Sequence, residues 1–221
     1  RKSEPLVPRH LRFELDERID ARGNVLKEVD EQELKELAKV LKENGIESLA
    51  VSLINSYVNP EHEEKVRQVL AKWVPEISIT LSCDILPEFK EYERTSTSVA
   101  NTYVLPKMET YLTHLDDSIR ELDIPSELYI MQSNGGVIGA QQAIQMPVRT
   151  MLSGPAGGVL AGAMVAKETG YKNIITIDMG GTSLDTALIE NEQPQYTTMS
   201  EIDGKPIKVP MVEMHTIGSG G

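Results

Sequence analysis

The sequence predicts an α/β fold, and three observations lead to that prediction. The chain has 221 residues and 40% hydrophobic residues, enough for one large or two small domains with a real core. Helix and strand patterns alternate with short connections through residues 1–85. A second strand–turn–helix–strand series follows from about residue 125. This order is typical of helices packed on a sheet that contains parallel strands.

The first half begins with a hairpin and an amphipathic helix. Alternation around Gly23 and Asn24 predicts a hairpin turn at that pair. Asp30 is predicted to cap the helix, Glu33 to complete a capping box, and Gly45 to end it. The apolar stripe is predicted at Leu34, Leu37, Val40 and Leu41.

Two apolar strands and a second helix complete this half. The run 46–54 predicts a strand buried on both faces of a parallel sheet, and 76–86 predicts the next strand. Asn59 and Pro60 are expected to open the helix between them. Its apolar side is predicted at Val66, Val69, Leu70 and Trp73. Cys83, the single cysteine, excludes an intrachain disulfide and fits a buried small hydrophobe better than a nucleophile.

A long polar segment from Leu86 to Leu122 is compatible with helix, although Pro106 is expected to break or kink it. Its core face is predicted at Val99, Tyr103, Met108, Tyr111, Leu112 and Leu115. The second half then predicts a strand, a turn at 134–136 and a helix over 157–168. Residues 173–190 predict a hairpin at the edge of a mixed sheet.

The composition excludes several classes of partner. A net charge of −12 argues against nucleic acid and against an anionic membrane surface. No run approaches the roughly 18 apolar residues of a membrane span. The first twelve residues also lack the apolar core of a signal peptide. We therefore expect a cytoplasmic protein.

The segment "DMGGTSLD" at 178–185 has two readings. It can be a hairpin turn with polar residues, or a phosphate cradle in which adjacent glycines adopt positive φ and let amide groups converge. Its carboxylates could hold hydrated Mg²⁺ or orient water. The residues of this segment alone do not distinguish a polar hairpin turn from a phosphate-binding loop. The predicted site residues here are catalytic Asp178 and Asp185, with Asp178 also the metal ligand, and phosphate-binding Gly180, Gly181, Thr182 and Ser183.

Two further glycine segments are candidates for the same site. "SGPAGG" at 153–158 precedes a helix, and a helix N-terminus attracts anions, although a tight helix start packed on the sheet explains it equally well. "HTIGSGG" at 215–221 is a third glycine loop, whose His215 fits a structural role better than a catalytic one. "QSNGG" at 132–136 is read as a turn. The candidate ligand-binding residues are Ser153, Gly154, Gly157, Gly218 and Gly220. No P-loop, GxGxxG, GxSxG or HExxH motif is found.

In this order, "EYERTSTSVANTYVLP", "QSNGG", "SGPAGG", "DMGGTSLD" and "HTIGSGG" closely resemble the hydantoinase A and oxoprolinase family, which includes ketone carboxylase subunits. The resemblance implies the RNase H-like fold of actin-like ATPases, with ATP and Mg²⁺ between two domains and 178–183 as the second phosphate loop. It implies an ATP-dependent hydrolase that phosphorylates the carbonyl of a cyclic amide, such as hydantoin or oxoproline, before ring opening. The alternatives are a ketone carboxylase subunit and a non-catalytic nucleotide-binding module.

The same resemblance implies that the chain is a fragment. Residues 1–85 would be the C-terminal part of a first RNase H-like domain, 86–124 a helical connecting segment, and 125–221 the N-terminal part of a second domain. The family's first phosphate loop is absent, so the fragment is expected to be inactive alone, and Leu184 stands where the family commonly has Thr. The expected partners are a nucleotide, a small cyclic amide, the rest of the chain and a hydantoinase B-type subunit.

Overall fold

A computed structural model describes residues 4–218, which form two compact units. The first unit runs to Tyr111 and includes Glu201–Lys208; the second contains Leu112–Ser200 and the residues from Val209 onward. The chain passes from one unit to the other inside a helix, within the predicted connecting segment. No helix in the described part of the chain is long and apolar enough to cross a membrane.

The structure contains six α-helices and fourteen strands within residues 4–218, together with short 3₁₀ helices at Arg9–Leu11 and Pro147–Thr150. To the end of the long helix they are β1 Arg18–Ile19, β2 Val25–Lys27, α1 Glu31–Glu43, β3 Ser48–Val51, α2 Glu61–Trp73, β4 Ser78–Leu81, α3 Ser82–Ile85 and α4 Glu91–Glu121. They continue as β5 Tyr129–Met131, β6 Val137–Gly139, α5 Ala140–Gln145, α6 Ser153–Thr169, β7 Ile174–Met179, β8 Ser183–Glu190, β9 Gln193–Pro194, β10 Tyr196–Thr197, β11 Ser200–Ile202, β12 Lys205–Ile207, β13 Met211–Val212 and β14 His215–Gly218.

The core of the first unit lies between α1, α2 and the parallel pair β3–β4. Its buried members include Leu34, Ala38, Leu41, Val51, Val66, Val69, Leu70 and Leu81. The parallel pair is confirmed, but the expectation that β3 is buried on both faces is wrong, because only its last residue is fully buried. Val40 and Trp73 were placed in apolar stripes, yet their side chains are 37% and 48% exposed. Helix α1 uses Ala38 instead, and Trp73 packs beneath the ammonium of Lys35.

Hydrogen bonds at both ends of α1 confirm the predicted cap and stop of the helix but not the predicted capping box. The Asp30 carboxylate accepts from the amide of Gln32 at 2.9 Å, as a capping residue does. The predicted capping box is not formed, because Glu33 accepts from the amide of Asp16 instead. At the other end Gly45 adopts a φ of +61°, and the next amide bonds back to Leu41, which terminates the helix.

Helix α4 continues through Pro106 for 31 residues, so the expected break is wrong. A proline removes the amide that would bond to the carbonyl four residues earlier. That carbonyl, on Thr102, accepts from the hydroxyl of Ser48 at 3.2 Å. The helix can continue because a residue of β3 satisfies the carbonyl that the proline leaves free. The predicted core face is also partly wrong, since Tyr103 and Tyr111 are 67% and 61% exposed.

Cys83 lies on α3 and packs against the core of the first unit. Burial, followed by the charge and hydrogen bonding of the nearby Glu63 carboxylate, raises the pKa of its thiol to about 12. Glu63 is itself fully buried and accepts from the Ser82 hydroxyl at 2.6 Å and the Cys83 amide at 3.0 Å. A thiol held neutral in this way is a weak nucleophile, in agreement with the sequence interpretation.

The second unit is built on an antiparallel sheet covered on one face by α6. Strands β14, β8 and β7 lie in that order, with β9 pairing to β8, and every pair is antiparallel; the expected mixed sheet is therefore wrong. Helix α6 packs Ala156 and Val159 against Ala187 and Ile189 of β8. On β7 the alternate residues Ile175, Ile177 and Met179 are each about two-thirds exposed. Those residues mark the sheet face opposite α6.

Candidate functional site

The hairpin predicted over residues 173–190 is confirmed by strands β7 and β8. The amide of Gly180 donates to the carbonyl of Ser183 at 3.0 Å, which leaves Gly181 and Thr182 as the loop. Neither Gly180 nor Gly181 has a positive φ, so the concavity expected from left-handed glycines is not formed. Both glycines are exposed at the end of the sheet.

Strand β14 brings a second predicted segment to the same end of the sheet. Gly218 lies directly opposite Ser183, so the start of "HTIGSGG" runs beside "DMGGTSLD". Gly220 lies outside the described residues. His215 pairs with Thr186, whose hydroxyl donates to the His215 backbone carbonyl at 3.3 Å. His215 is exposed, and a structural role for its imidazole stays a prediction.

Two carboxylates and a hydroxyl form a row across the three strands. Asp178 on β7 pairs with Asp185 on β8, which pairs in turn with Thr216 on β14. Residues directly opposite in antiparallel strands point to the same face. Thr176, two residues before Asp178, meets Gly162 of α6, so the row lies on the face that the helix covers.

The row borders a cleft of about 230 Å³ at the beginning of α6. Its lining from the helix is Pro155, Gly158 and Val159, and from the sheet and the strand connection Thr176, Ile177, Asp178, Asp185, Thr186 and Met214. Helix α6 already begins at Ser153, so "SGPAGG" forms its first turns rather than a loop before it, and the helix predicted from 157 starts earlier. The preceding residue, Leu152, gives the first turn no side-chain cap. Unpaired amides at a helix start favour an anion.

The glycines of the three segments have different surroundings. A Cβ added at Gly157 would lie 3.0 Å from the sulfur of Met131, so tight packing already explains that glycine. A Cβ at Gly154, Gly181 or Gly218 would meet nothing within 4 Å. Neither packing nor a positive φ requires glycine at these three positions. A remaining reason for glycine is the close approach of a group from outside the chain.

"QSNGG" is a structural turn between β5 and β6. The amide of Gln132 bonds to the carbonyl of Gly136 at 2.8 Å, and Gly135 has a φ of +81°. A Cβ at Gly135 would also lie 2.2 Å from a methyl group of Leu160. Both the backbone and the packing on α6 therefore require glycine there, which confirms the sequence interpretation.

The aspartate pair carries two like charges side by side. Like charges directly opposite each other destabilise an antiparallel pair. Within residues 4–218 neither Asp178 nor Asp185 forms an ion pair with a basic side chain. Asp178 is exposed and Asp185 half-buried, so both can reach a group in the cleft. A cation bound between them would remove the repulsion.

The chemistry of these residues fits Mg²⁺ and phosphate. Magnesium prefers oxygen ligands and is commonly held by one or two carboxylates, with water and phosphate oxygens completing its coordination. In the described part of the chain no group of three or more His, Cys, Asp and Glu side chains could hold a metal ion. Asp178 and Asp185 match the carboxylate portion of a magnesium–nucleotide site. The exposed hydroxyl of Thr182 and the open glycines match the phosphate portion.

Sequence reasoning missed two features of this site. It did not select Thr216, whose hydroxyl donates to the Asp185 carboxylate at 2.6 Å; only the pairing of β14 with β8 reveals that contact. It also gave no orientation for Leu184, which stands where the resembled family commonly has Thr. Leu184 pairs with Met179 and Ile217, on the face opposite the carboxylates. A threonine there would not point toward the aspartate row.

Comparison with known proteins gives two family matches. Residues 94–221 match the family described as hydantoinase/oxoprolinase, and residues 2–74 match its N-terminal region. An uncharacterized protein of Methanocaldococcus jannaschii is 34% identical over all of this chain and 34% of its own length.

Two solved structures are similar throughout the chain. A nucleotide-free acetone carboxylase, from a study of ATP-dependent acetone carboxylation, superposes with a TM-score of 0.90 and 32% identity over 100% of this chain and 31% of its own. The ATP-dependent caprolactamase from Pseudomonas jessenii gives a TM-score of 0.88 and 32% identity over 100% of this chain and 32% of its own. The chain therefore spans about a third of the length of these proteins.

Proposed function

Because this chain belongs to the hydantoinase/oxoprolinase family, we propose that it forms part of an ATP-dependent enzyme that opens a cyclic amide. ATP would transfer its γ-phosphoryl group to the amide carbonyl oxygen, giving ADP. A first water would add to the carbonyl carbon, and the C–N bond would break to give the amine and an acyl phosphate. A second water would hydrolyse the acyl phosphate to the carboxylate and inorganic phosphate. The similarity to an ATP-dependent caprolactamase supports this choice of substrate class.

The single observation that carries the proposal is the Asp178–Asp185 pair. Two like charges face each other across β7 and β8, without a basic partner among residues 4–218. They border a cleft that Pro155, Gly158 and Val159 line from the first turns of α6, close to the uncapped start of the helix at Ser153 and Gly154, which do not line it. A magnesium–nucleotide complex supplies both the cation that the carboxylates lack and the anion that the helix start favours.

Each residue group has a defined part in this proposal. Asp178 and Asp185 would hold Mg²⁺, directly or through water, and so fix the position of the phosphates. Gly181, Thr182 and Ser183 would contact phosphate oxygens through amides and hydroxyls, while Gly180, whose amide bonds to the Ser183 carbonyl, would hold the loop closed. The first turn of α6, with Ser153 and Gly154, would stabilise negative charge by its dipole. Positioning and charge stabilisation of this kind account for most of the catalysis of phosphoryl transfer.

We further propose the RNase H-like arrangement for the complete protein. The two units of this chain would be the end of one such domain and the beginning of the next, with the first phosphate loop supplied by the remainder of the polypeptide. A curated relative is named caprolactamase subunit alpha, which supports a second, hydantoinase B-type subunit as partner.

A ketone carboxylase is the second candidate function. The superposition on acetone carboxylase, from a study of ATP-dependent acetone carboxylation, supports it as strongly as the caprolactamase likeness supports ring opening. Both reactions begin by activating an oxygen with ATP, so the nucleotide site described above would serve either one. They differ in the phosphoryl acceptor, which in the carboxylase would be a ketone enol or bicarbonate, and in the steps that follow phosphorylation.

The test is ATP turnover by the full-length protein against a panel of cyclic amides and ketones. We expect Asp178→Asn to reduce turnover by at least about a hundredfold, as the loss of a main electrostatic contributor does. The melting temperature should shift by only a few degrees, because Asn keeps the shape of an exposed side chain. Asp123→Asn, at an exposed turn with a φ of 53° that Asn tolerates, is the matched control. Normal turnover in Asp178→Asn would refute the nucleotide site, and stimulation by ketones alone would select the carboxylase.

A further inference from the structure

We propose that Thr216 is a positioning residue, which orients the Asp185 carboxylate for a divalent cation; this inference rests on the proposed nucleotide site. The Thr216 hydroxyl donates to Oδ1 of Asp185 at 2.6 Å. The two residues are directly opposite each other in the β14–β8 register. A hydrogen bond from a neutral hydroxyl to a carboxylate is short and strong compared with a bond between neutral groups.

The contact restricts a side chain that would otherwise rotate. Asp185 is half-buried and has no basic partner within residues 4–218, so no ion pair sets its orientation. Thr216 is β-branched and therefore stiff about χ1. Its bond engages Oδ1 of a carboxylate whose residue lines the cleft. The hydroxyl thus selects one orientation of the carboxylate before a ligand arrives.

The placement of Thr216 is itself fixed by the sheet. Four consecutive register pairs join β14 to β8, from His215–Thr186 to Gly218–Ser183. The hydroxyl of Thr186 adds a bond to the carbonyl of His215, the residue beside Thr216. Strand β14 therefore presents Thr216 to Asp185 while its glycine end lies beside the phosphate loop. The segment "HTIGSGG", predicted to be a glycine loop, therefore contributes the Thr216 side chain to the carboxylate row.

The experiment measures divalent-cation affinity of the full-length protein, with ADP present and Mn²⁺ as the probe, by electron paramagnetic resonance. Thr216→Val keeps the shape and strand propensity but removes the donor, and we expect it to weaken Mn²⁺ binding about 10- to 100-fold, as loss of a group that supports a metal ligand does. Thr216→Ser restores the hydroxyl and should bind within about twofold of wild type. Thr197→Val, on β10, removes a hydroxyl that bonds locally to Met199 and is the control for lost hydrogen bonding in a strand. Its Mn²⁺ affinity should not change.

Asp185→Asn separates failure of this inference from failure of the proposed function. If Asp185→Asn weakens Mn²⁺ binding and Thr216→Val does not, Thr216 has no positioning role and the nucleotide site stands. If Asp185→Asn leaves binding unchanged, the nucleotide site is assigned wrongly and the inference falls with it. Equal loss in the Val and Ser variants would also overturn it, because the hydroxyl would then be irrelevant. Should Thr216→Val fail to fold, Thr216→Ala provides the same comparison with Ser.

Discussion

Replacing Gly162 with alanine tests the close approach of α6 to β7, which places the helix beginning beside the carboxylate row. An added Cβ would lie 2.4 Å from Cγ2 of Thr176, well inside van der Waals contact. Thr176 is β-branched and cannot rotate freely away. The helix must then lift from the strand or distort it. Overpacking of this kind costs about 1–3 kcal/mol.

The helix propensity of alanine opposes that cost, so a matched variant is needed. Glycine to alanine inside a helix stabilises by about 1 kcal/mol. Gly158, one turn earlier in α6, has no atom within 4 Å of an added Cβ, so Gly158→Ala should gain that propensity alone. The propensity contribution cancels from the difference between the two variants. The difference in unfolding free energy is therefore about 1–3 kcal/mol, with Gly162→Ala the less stable.

Thermal unfolding of the 221-residue chain measures this difference. At roughly 3 °C per kcal/mol for a chain of this size, the melting temperature of Gly162→Ala should lie about 3–9 °C below that of Gly158→Ala. Equal melting temperatures in the two variants would show that α6 does not approach β7 at Gly162. The helix would then no longer fix the position of the cleft beside Asp178.

Two further predictions concern the first unit. Ser48→Ala should lower the free energy of unfolding in urea by about 1–3 kcal/mol, because it leaves the Thr102 carbonyl without a donor. In a Pro106→Ala background the new amide of residue 106 can bond to the Thr102 carbonyl, so Ser48→Ala should cost less unfolding free energy there. An equal cost in both backgrounds would contradict the explanation of the continuous helix. The Cys83 thiol should react slowly with a disulfide reagent at pH 8 and rapidly after unfolding, since its pKa is raised to about 12. The Cys83 thiol should lose its proton near pH 9 in the unfolded chain, which is its ordinary pKa, but only near pH 12 in the folded chain. The free energy of unfolding, compared with that of Cys83→Ala, should therefore fall as pH rises from about 9 to about 12. A pH dependence identical to that of Cys83→Ala would contradict the raised pKa.

Local patterns in the sequence were sufficient for the hairpin around Gly23, the cap at Asp30, the parallel pair and the hairpin that carries Asp178. The hairpins and the cap depend on interactions between residues close in the chain, and the parallel pair follows from two apolar runs separated by a helix. The order of glycine motifs was also sufficient for the family, now shown by matches over both parts of the chain.

Three of the failed predictions share one cause, which is a partner distant in sequence. Pro106 stays inside a helix because Ser48, 54 residues before the carbonyl it serves, replaces the missing bond. Glu33 leaves its capping box for an amide 17 residues earlier. The sheet is antiparallel because β14 returns to pair with β8, and nothing in the strand sequences states that direction.

The sequence alone predicts most of the candidate residues of the site, because the two aspartates, Thr182, Ser183 and the glycines are recognisable by type and spacing, whereas Thr216 is not. Their arrangement depends on how the chain folds. Strand register put Asp178 opposite Asp185 and Thr216 beside them, and close packing at Gly162 set the start of α6 against the same row. The physical reason is that side-chain type is a property of one residue, whereas register and packing depend on segments that meet only when the chain has folded.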